Sequence, residues 1–274
     1  MGAVQAQDFQ GALWAIACRL PGTTREDVES AITRARIVRS WPMRGTLHFV
    51  VAEDLGWMLD LLAPRVRAST KGRRRQLELD DEVLASTRRL VEKSLEKNGP
   101  QTRTSLFAML EAHHISTREQ RGAHILQHHA LEGLICLAAH HGKQPTFALS
   151  ECWIPKRKHL SLQESLAELT LRYFRSHGPA TAEDFAWWSG LRITQVREGL
   201  SLCRNELDVL RLGETEYWTG GFEVSATTRM PSVRLLPGFD EYLLGYRDRS
   251  AILEPKYASH MGPGNNGIFL PVFL

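Results

Sequence analysis

Apolar residues near the start of the chain recur at the spacing of two short amphipathic helices. They fall every three or four positions from Phe9 to Leu20, and Asp8 stands where a helix N-cap is expected. Thr23 and Glu26 then fit a capping box for a second helix. The chain is therefore predicted to begin with two helices.

The pattern changes to β-branched and aromatic residues over the next part of the chain. Residues 37–41 and 46–51 are typical of the two strands of a hairpin, with a turn at residues 42–45. Helix, helix and hairpin is the order of a winged helix-turn-helix module. A helix with apolar residues at positions 55–62 follows, and then a long polar helix over roughly residues 81–97.

A short signature, Gly-Pro-x-Thr-x-x-x-apolar, then occurs twice, at residues 99–106 and 178–185. Gly and Pro stop one helix, Thr caps the next, and the apolar residue seats that helix on the core. After the first copy, Ser116 and Glu119 fit a capping box for a helix that runs to about Leu134. Each copy is followed by another helix and a pair of strand-like segments.

These repeats indicate an α+β, mainly α fold with three tandem winged helix-turn-helix modules and a β-rich C-terminal region. We assign residues 1–78, 79–158 and 159–225 to the modules and residues 226–274 to the C-terminal region. The clearest strand pair, residues 207–218, closes the third module. Repetition of such a unit favours a nucleic-acid binder, although tri-helical units also serve as protein scaffolds that bind no DNA.

Composition excludes several classes of protein. Of the 274 residues, 43% are apolar, which suits a globular core, and no run approaches the ~18 apolar residues of a membrane span. The N-terminus lacks the layout of a secretory signal peptide. The cysteines form no C-x-x-C pair, so we expect reduced core thiols in a cytoplasmic, nucleoid-associated protein. They are Cys18, Cys136, Cys152 and Cys203.

Positive charge is unevenly distributed along the chain, although the net charge is only +3. Residues 65–75 hold six basic residues and no acid, a block that can follow a phosphate backbone or form a solvated loop. The turn Met43-Arg44-Gly45 is either a probe of a DNA groove or a structural turn. The candidate DNA-binding residues are Arg44, Arg65, Arg67, Lys71, Arg73, Arg74, Arg75, Arg118, Arg121, Arg197, Arg247 and Arg249.

Two glutamines, Gln5 and Gln7, precede the first helix. Side chains two apart share one side of an extended segment, so an extended approach would aim both amides at one spot. A pair of amides can orient a water molecule or a base edge without carrying charge. The pair is therefore a candidate catalytic site, with ordinary surface glutamines as the alternative.

Three segments together resemble a known family: Val4-Gln5-Ala6-Gln7-Asp8 with Leu13-Trp14 after it, Met43-Arg44-Gly45-Thr46-Leu47-His48-Phe49-Val50, and the long run from Leu235 to Arg249. On these segments the chain resembles the AlkZ/YcaQ-like tandem winged-helix DNA glycosylases over nearly its whole length. The resemblance implies three winged-helix modules around a DNA channel, and hydrolysis of the N-glycosidic bond of alkylated purines. It also implies catalytic roles for Gln5 and Gln7. At the position of the second glutamine, the YcaQ branch has an acid. In having glutamine there, the chain is similar to the branch that unhooks interstrand crosslinks in DNA repair or toxin self-resistance.

Both ends of the chain depart from that family pattern. The first helix starts almost immediately after Gln7, and the chain stops on an apolar strand-like run at residues 266–274. We therefore expect that an opening helix is missing and that the C-terminal region is incomplete, as in a fragment, a mispredicted start or a disrupted gene. Such losses would weaken stability and could leave a truncated enzyme inactive.

Neutral amides can suffice for this chemistry because an N7-alkylated guanine is cationic and its glycosidic bond is already weakened. We expect Gln7 to position the attacking water and Gln5 to hold the lesion or the sugar, although the two roles could be exchanged. Asp8 and His48 are candidate auxiliary residues. Asp8 could stabilise the sugar cation or cap the helix, and His48 could face the glutamines or lie in the core.

The segment Phe239-Asp240-Glu241-Tyr242 places two carboxylates side by side, where they cannot easily form a facing acid–base pair. We expect Arg247 and Arg249 to pair with Asp240 and Asp248. The alternatives for this segment are a structural ion network and the lining of a DNA channel.

The sequence therefore predicts a metal-independent DNA glycosylase that acts as a monomer on double-stranded DNA carrying alkylated bases, with no cofactor and no membrane partner. His124 and His128 have a spacing that suits a metal, but without a zinc-protease glutamate between them we expect the solvent or DNA side of a helix. The alternative function is a non-catalytic winged-helix DNA-binding protein, either a regulator or a lesion binder.

Overall fold

The computed structural model describes residues 1–221 and 235–257, together with the backbone of Val272–Phe273. The expected α+β fold, mainly helical with antiparallel strands, is confirmed. Much of the expected β-rich C-terminal region, residues 222–234 and 258–271, lies outside the described residues.

Two compact units make up the chain. The first unit joins Met1–Val28 to Leu160–Leu274, and the second unit is Glu29–His159. Residues from the two ends of the sequence therefore fold together in the first unit.

The helices are, in chain order, α1 (Phe9–Arg19), α2 (Arg25–Thr33), α3 (Leu55–Gln76), α4 (Asp81–Asn98), α5 (Arg103–Ala112), α6 (Arg121–Leu131), α7 (Ser150–Trp153), α8 (Leu162–His177), α9 (Ala182–Ser189), α10 (Ile193–Leu202) and α11 (Glu241–Leu244). The strands are β1 (Val4–Gln5), β2 (Ile37–Met43), β3 (Thr46–Val51), β4 (Gln101–Thr102), β5 (Ile135–His141), β6 (Gln144–Leu149), β7 (Asp208–Leu212), β8 (Thr215–Thr219), β9 (Leu235–Leu236) and β10 (Val272–Phe273).

The first helix begins where its N-cap was predicted and ends earlier than its apolar pattern suggested. The Asp8 carboxylate accepts a hydrogen bond from the main-chain N–H of Gln10 over 3.1 Å. Leu13 is buried, whereas Leu20 follows the last helical residue and is 56% exposed. The prediction that Leu20 belongs to the buried face is therefore wrong, because the helix stops before its turn is complete.

The second helix uses a different capping pair from the one predicted. The main-chain N–H of Thr24 donates to the Asp27 carboxylate over 2.9 Å, and the N–H of Asp27 donates back to the Thr24 hydroxyl over 3.2 Å. The predicted box of Thr23 and Glu26 is thus wrong by one residue. The sequence offers two overlapping boxes with the same spacing, so the capping pattern alone could not choose between them.

Both expected hairpins of the second unit form, and they join in one antiparallel arrangement in the order β3, β2, β5, β6, β4. The first turn is shorter than predicted, since β2 continues through Met43 and only Arg44 and Gly45 remain at the tip. Their φ angles of 54° and 71° are left-handed, as a two-residue type I′ turn requires. A break in register between Ser40 and Met43 lets the strand pass through Pro42.

The core of the second unit lies between this sheet and α3 to α6. The apolar face predicted for α3 is confirmed, because Leu55, Met58, Leu59 and Leu62 are all buried. The predicted polar helix is α4, which packs through a few apolar positions such as Val91. Burial of these side chains is the main contribution that holds the helices on the sheet.

The repeated signature does what its residues predicted. Thr102 caps α5 by accepting from the main-chain N–H of Ser105, and Thr181 caps α9 in a reciprocal box with Asp184. The box predicted at residues 116–119 is wrong. Glu119 and Gln120 have left-handed φ angles of 52° and 72°. The chain therefore turns at these residues, and α6 begins only at Arg121.

The first unit has its core between α8, α9 and α10, where Tyr173, Phe174, Phe185 and Trp188 form an aromatic cluster. The predicted hairpin after α10 is confirmed, with Asp208–Leu212 paired antiparallel to Thr215–Thr219.

The cysteines are all free thiols, and their positions correct part of the prediction. Cys136 and Cys203 are buried as expected, and burial raises the pKa of Cys136 to about 12. Cys18 is only partly buried and Cys152 is exposed, so these two are not core residues.

Candidate functional site

The two glutamines of the first unit lie in different surroundings. Gln5 ends strand β1 and is only 7% exposed. Gln7 lies at a bend between β1 and α1 and is exposed. The regular strand thus stops before Gln7, and the pair combines one shielded carboxamide with one that faces solvent.

Gln5 is held through its main chain by a buried carboxylate from the far end of the sequence. Its N–H donates to Oε1 of Glu241 over 2.7 Å. The indole N–H of Trp188 donates to Oε2 of the same carboxylate over 2.8 Å, and Nε2 of His177 lies 3.8 Å from that oxygen. Glu241 is 1% exposed, so these contacts replace its hydration.

The neighbouring carboxylate, Asp240, holds the first helix. The guanidinium of Arg19 donates to both of its oxygens, over 2.6 and 2.8 Å. Asp240 also caps α11 by accepting from the main-chain N–H of Tyr242 over 2.8 Å. Since Arg19 is at the end of α1, this bidentate pair ties that helix to the start of α11.

The expected ion pairs of this segment are wrong. The Arg249 guanidinium donates instead to the carbonyl oxygen of Leu243 over 2.7 Å, and the main-chain N–H of Arg247 donates to Asp184. Asp248 accepts from the main-chain N–H of Ser250 over 2.9 Å. Arg247 and Arg249 follow Asp240 by seven and nine positions in the sequence, but the partner of Asp240 is Arg19 at the end of α1, 221 positions earlier.

Sequence reasoning missed Glu241 as a neighbour of the Gln-x-Gln segment. The signal was present, because two adjacent carboxylates in an otherwise apolar stretch need buried donors. The sequence could not say which donors, because Gln5 and Glu241 are 236 positions apart.

The candidate auxiliary residues have clear structural contacts. Asp8 caps α1, as described above. His48, in the second unit, is fully buried, and its ring nitrogens lie 2.9 Å from the carbonyl oxygen of Thr46 and 3.2 Å from the guanidinium of Arg44. The core alternative for His48 is therefore confirmed. Met43, at the expected probe, is also fully buried and leaves Arg44 at the turn.

The basic block at residues 65–75 is helical, since α3 runs unbroken to Gln76. The loop interpretation is therefore wrong. Arg67, Lys71 and Arg74 line an open groove of about 560 Å³ together with Arg88 of α4, and Asp81 and Glu132 are the acids that line it. A helix presents such charges at fixed spacing, which a solvated loop would not.

The remaining candidate DNA-binding arginines differ in their contacts. Arg118 and Arg197 are exposed. The Arg121 guanidinium donates to the main-chain carbonyl oxygens of Leu77 and Glu78, so it fastens α6 to the chain after α3. Arg197 lines a second groove, in the first unit, that also contains Arg204, Glu183 and other acids.

A cluster of metal-ligating side chains lies beside the basic groove. Ligand atoms of His128, His129 and Glu132 come within 4.8 Å of one another, so His128 groups with these residues and not with His124 as its spacing suggested. Arg67 and Arg88 lie 3.6 and 3.4 Å from the Glu132 carboxylate. These guanidinium groups already balance the carboxylate, which weakens the cluster as a cation site.

His129 is expected to make the stability of the protein depend on pH. Burial, aided by the charges of His128 and Arg88, lowers the pKa of His129 from 6.5 to about 3. Nε2 of His129 lies 2.9 Å from the Thr87 hydroxyl, and its Nδ1 has no hydrogen-bond partner among the described residues. The unfolded chain therefore binds a proton below about pH 6.5 that the folded protein binds only near pH 3.

The sign follows from this difference in proton binding. The free energy of unfolding falls as the pH drops, and His129 contributes about 2 kcal/mol to the loss between pH 7 and pH 5. Urea unfolding at both pH values measures it, with His129→Gln as the control. An equal loss in that variant would contradict the assignment.

Comparison with known proteins identifies the family. The family model described as DNA glycosylase AlkZ-like matches residues 1–274. The interstrand DNA cross-link repair glycosylase of Streptomyces sahachiroi is 28% identical over 278 residues, covering 93% of this chain and 72% of that protein. The structure of the Streptomyces sahachiroi DNA glycosylase AlkZ matches with a TM-score of 0.81 and 24% identity, over 99% of this chain and 76% of that one.

The match to the family model over the whole chain places the protein among the DNA glycosylases, and the structural match shows that it shares their fold. The chain belongs to the AlkZ-like DNA glycosylase family. The expected family, and with it a hydrolase that acts on DNA, is thereby confirmed. None of the helices in the described part of the chain combines the length and the apolar character that a membrane span requires.

Proposed function

We propose that the protein hydrolyses the N-glycosidic bond of alkylated purines, such as N7-alkylguanine, in double-stranded DNA. The observation that carries this proposal is the fixed Gln-x-Gln segment, in which the main chain of Gln5 is bound to a buried carboxylate while Gln7 faces solvent. Membership of the AlkZ-like family supports the same reaction class.

The chemistry divides between the two carboxamides. The leaving base is cationic, so the enzyme needs to stabilise an oxocarbenium-like sugar and to present water to C1′. The exposed Gln7 is suited to orient that water through its carbonyl oxygen, and the shielded Gln5 to contact the lesion or the sugar. Asp8 is proposed as an auxiliary residue that fixes the start of the helix following Gln7, whereas the buried His48 contacts Arg44 in the second unit.

The architecture that we propose for this reaction is three tandem winged-helix modules, residues 1–78, 79–158 and 159–225, followed by the C-terminal region 226–274. The Thr-capped helices α5 and α9, each followed by a further helix and a hairpin, support it.

We propose that the exposed cations of α3 are the main contacts with DNA. A lesion enzyme needs mainly phosphate contacts, because its target is damage and not sequence. The proposed contacts are Arg44, Arg65, Arg67, Lys71, Arg73, Arg74, Arg75, Arg118, Arg121, Arg197, Arg247 and Arg249.

The test is release of free base from a duplex that contains N7-methylguanine, followed by chromatography of the released material. The proposal expects release by the wild-type protein in the presence of a chelator, since we propose no metal. Retention on the duplex without release would instead indicate a non-catalytic DNA-binding protein.

A relative named for interstrand cross-link repair suggests a larger lesion. We propose that the protein also unhooks crosslinks that join two N7-alkylated guanines. A duplex crosslinked by a nitrogen mustard would separate into single strands on a denaturing gel after treatment and heating. Release of N7-methylguanine without unhooking would limit the substrate to small adducts.

Removing cations from α3 is expected to weaken the salt dependence of DNA binding. Lys71 and Arg75 are exposed on this helix. The double variant Lys71→Gln/Arg75→Gln should reduce the slope of log K against log salt by about 0.9 for each phosphate that is no longer neutralised, or about 1.8 in total. Fluorescence anisotropy with an undamaged duplex measures the slope. Lys97→Gln, an exposed change at the end of α4, is the matched control, and an equal effect there would argue against DNA binding by α3.

A further inference from the structure

The carboxylate of Glu241 joins two distant parts of the first unit. One oxygen accepts from the main-chain N–H of Gln5 over 2.7 Å, and the other accepts from the indole N–H of Trp188 over 2.8 Å. Glu241 is 1% exposed. Burying a carboxylate is costly unless donors compensate it, so this arrangement depends on both N–H groups being present.

The adjacent carboxylate acts on the other side of the same segment. Asp240 binds Arg19 at the end of α1, whereas Glu241 binds Gln5 in β1. The two carboxylates are consecutive in the chain, so covalent geometry fixes their separation. Together they fix the strand that carries Gln5 and the helix whose start follows Gln7.

The support behind Glu241 is closely packed. The ring of His177 stacks on Tyr173 with centroids 4.6 Å apart, and Trp188 packs against both rings. A Cβ added at Gly245 would lie 2.6 Å from the carbonyl oxygen of Glu241 and 2.9 Å from Nε2 of His177. The main chain that carries Glu241 therefore packs closely against His177.

We propose that Glu241 is a positioning residue for base excision: it holds the main chain of Gln5 and thereby sets where the Gln5 carboxamide meets the substrate. This inference rests on the proposed function of Gln5. Displacement of a reacting group by about 1 Å can cost a large part of the rate, so a rigid anchor at the main chain has kinetic value.

The variant Glu241→Gln tests the anchor because it keeps the shape of the side chain. Its amide offers one acceptor oxygen and one NH2 group, so one of the two N–H donors faces another donor. The single-turnover rate constant for release of N7-methylguanine is expected to fall at least about tenfold. The dissociation constant for the same duplex is expected to stay within about twofold, because Glu241 is buried.

A second substitution provides a rescue. In Glu241→Gln/Trp188→Phe the indole donor is gone, so the amide oxygen can accept from Gln5 while its NH2 group faces an apolar ring. The rate constant should recover to within about threefold of that of Trp188→Phe alone. If the double variant is as slow as or slower than Glu241→Gln, the positioning role is refuted.

Tyr246→Phe is the matched control for general loosening of this core. The Tyr246 hydroxyl donates to the carbonyl oxygen of His177 over 2.8 Å. Its loss should lower the melting temperature and leave the rate constant within about twofold of wild type. A loss of rate equal to that of Glu241→Gln would overturn the proposal.

Amide hydrogen exchange separates failure of this inference from failure of the proposed function. The Gln5 amide should exchange faster in Glu241→Gln and at an unchanged rate in Tyr246→Phe. A wild-type protein that releases no base would refute the proposed function, and the positioning role with it. A wild-type protein that releases base, with Gln5 exchange unaffected by Glu241→Gln, would refute the inference alone.

Discussion

Replacing either Gln5 or Gln7 by alanine is expected to slow the release of N7-methylguanine by about a hundredfold or more. The loss is expected because each variant removes a dipole that is aimed at the sugar, the base or the attacking water. Single-turnover kinetics with excess enzyme measure this step without a contribution from product release. The effect should be on the rate constant, with DNA affinity little changed, because most of the binding free energy comes from phosphate contacts.

The matched control is Gln10→Ala, an exposed glutamine on the first turn of α1. It should cleave at the wild-type rate, since the hydrogen bond from residue 10 to Asp8 uses its main chain. If Gln5→Ala and Gln7→Ala also cleave at the wild-type rate, the catalytic assignment is wrong. A large loss in only one variant would assign the essential role to that glutamine.

Replacement of Asp240 by alanine is expected to lower the free energy of unfolding by about 3 kcal/mol. The side chain of Asp240 is fully buried, whereas that of Arg19 is 29% exposed. Truncation leaves the guanidinium without its bidentate partner and also removes the N-cap of α11. Urea unfolding, followed by tryptophan fluorescence and circular dichroism, measures the change.

Asp248→Ala is the control for this prediction. Asp248 lies in the same segment and is another carboxylate that accepts from a main-chain N–H, but it is exposed. Its replacement should change the free energy of unfolding by less than about 0.5 kcal/mol. Equal losses in the two variants would mean that the Arg19–Asp240 pair contributes no more to the free energy of unfolding than the exposed contact of Asp248.

The elements that sequence predicted well are those set by local interactions. Asp8, Thr102 and Thr181 each cap the helix that follows, and the strand pairs after residues 37 and 207 form hairpins. A cap satisfies a donor two or three residues away, and a hairpin closes over a short turn. Both depend on a few neighbouring residues, which a sequence displays directly.

Local patterns failed where the sequence allowed more than one local structure. The pairs Thr23/Glu26 and Thr24/Asp27 have the same spacing, and the structure forms only the second. The residues at 119 and 120 adopt left-handed backbone angles that no capping pattern indicates. The basic block gave no sign of its helix, because charge and not apolar spacing dominates it.

By itself the sequence determined the family, the order of helices and hairpins, and the Gln-x-Gln pair as the first candidate for catalysis. Only the tertiary structure decided that Glu241 binds the main chain of Gln5, and that Arg19, not one of the nearby arginines, binds Asp240. The physical reason is distance along the chain. A buried carboxylate must find donors, but many donors are chemically equal in the sequence, and the packing of distant segments determines which of them lie within about 3 Å.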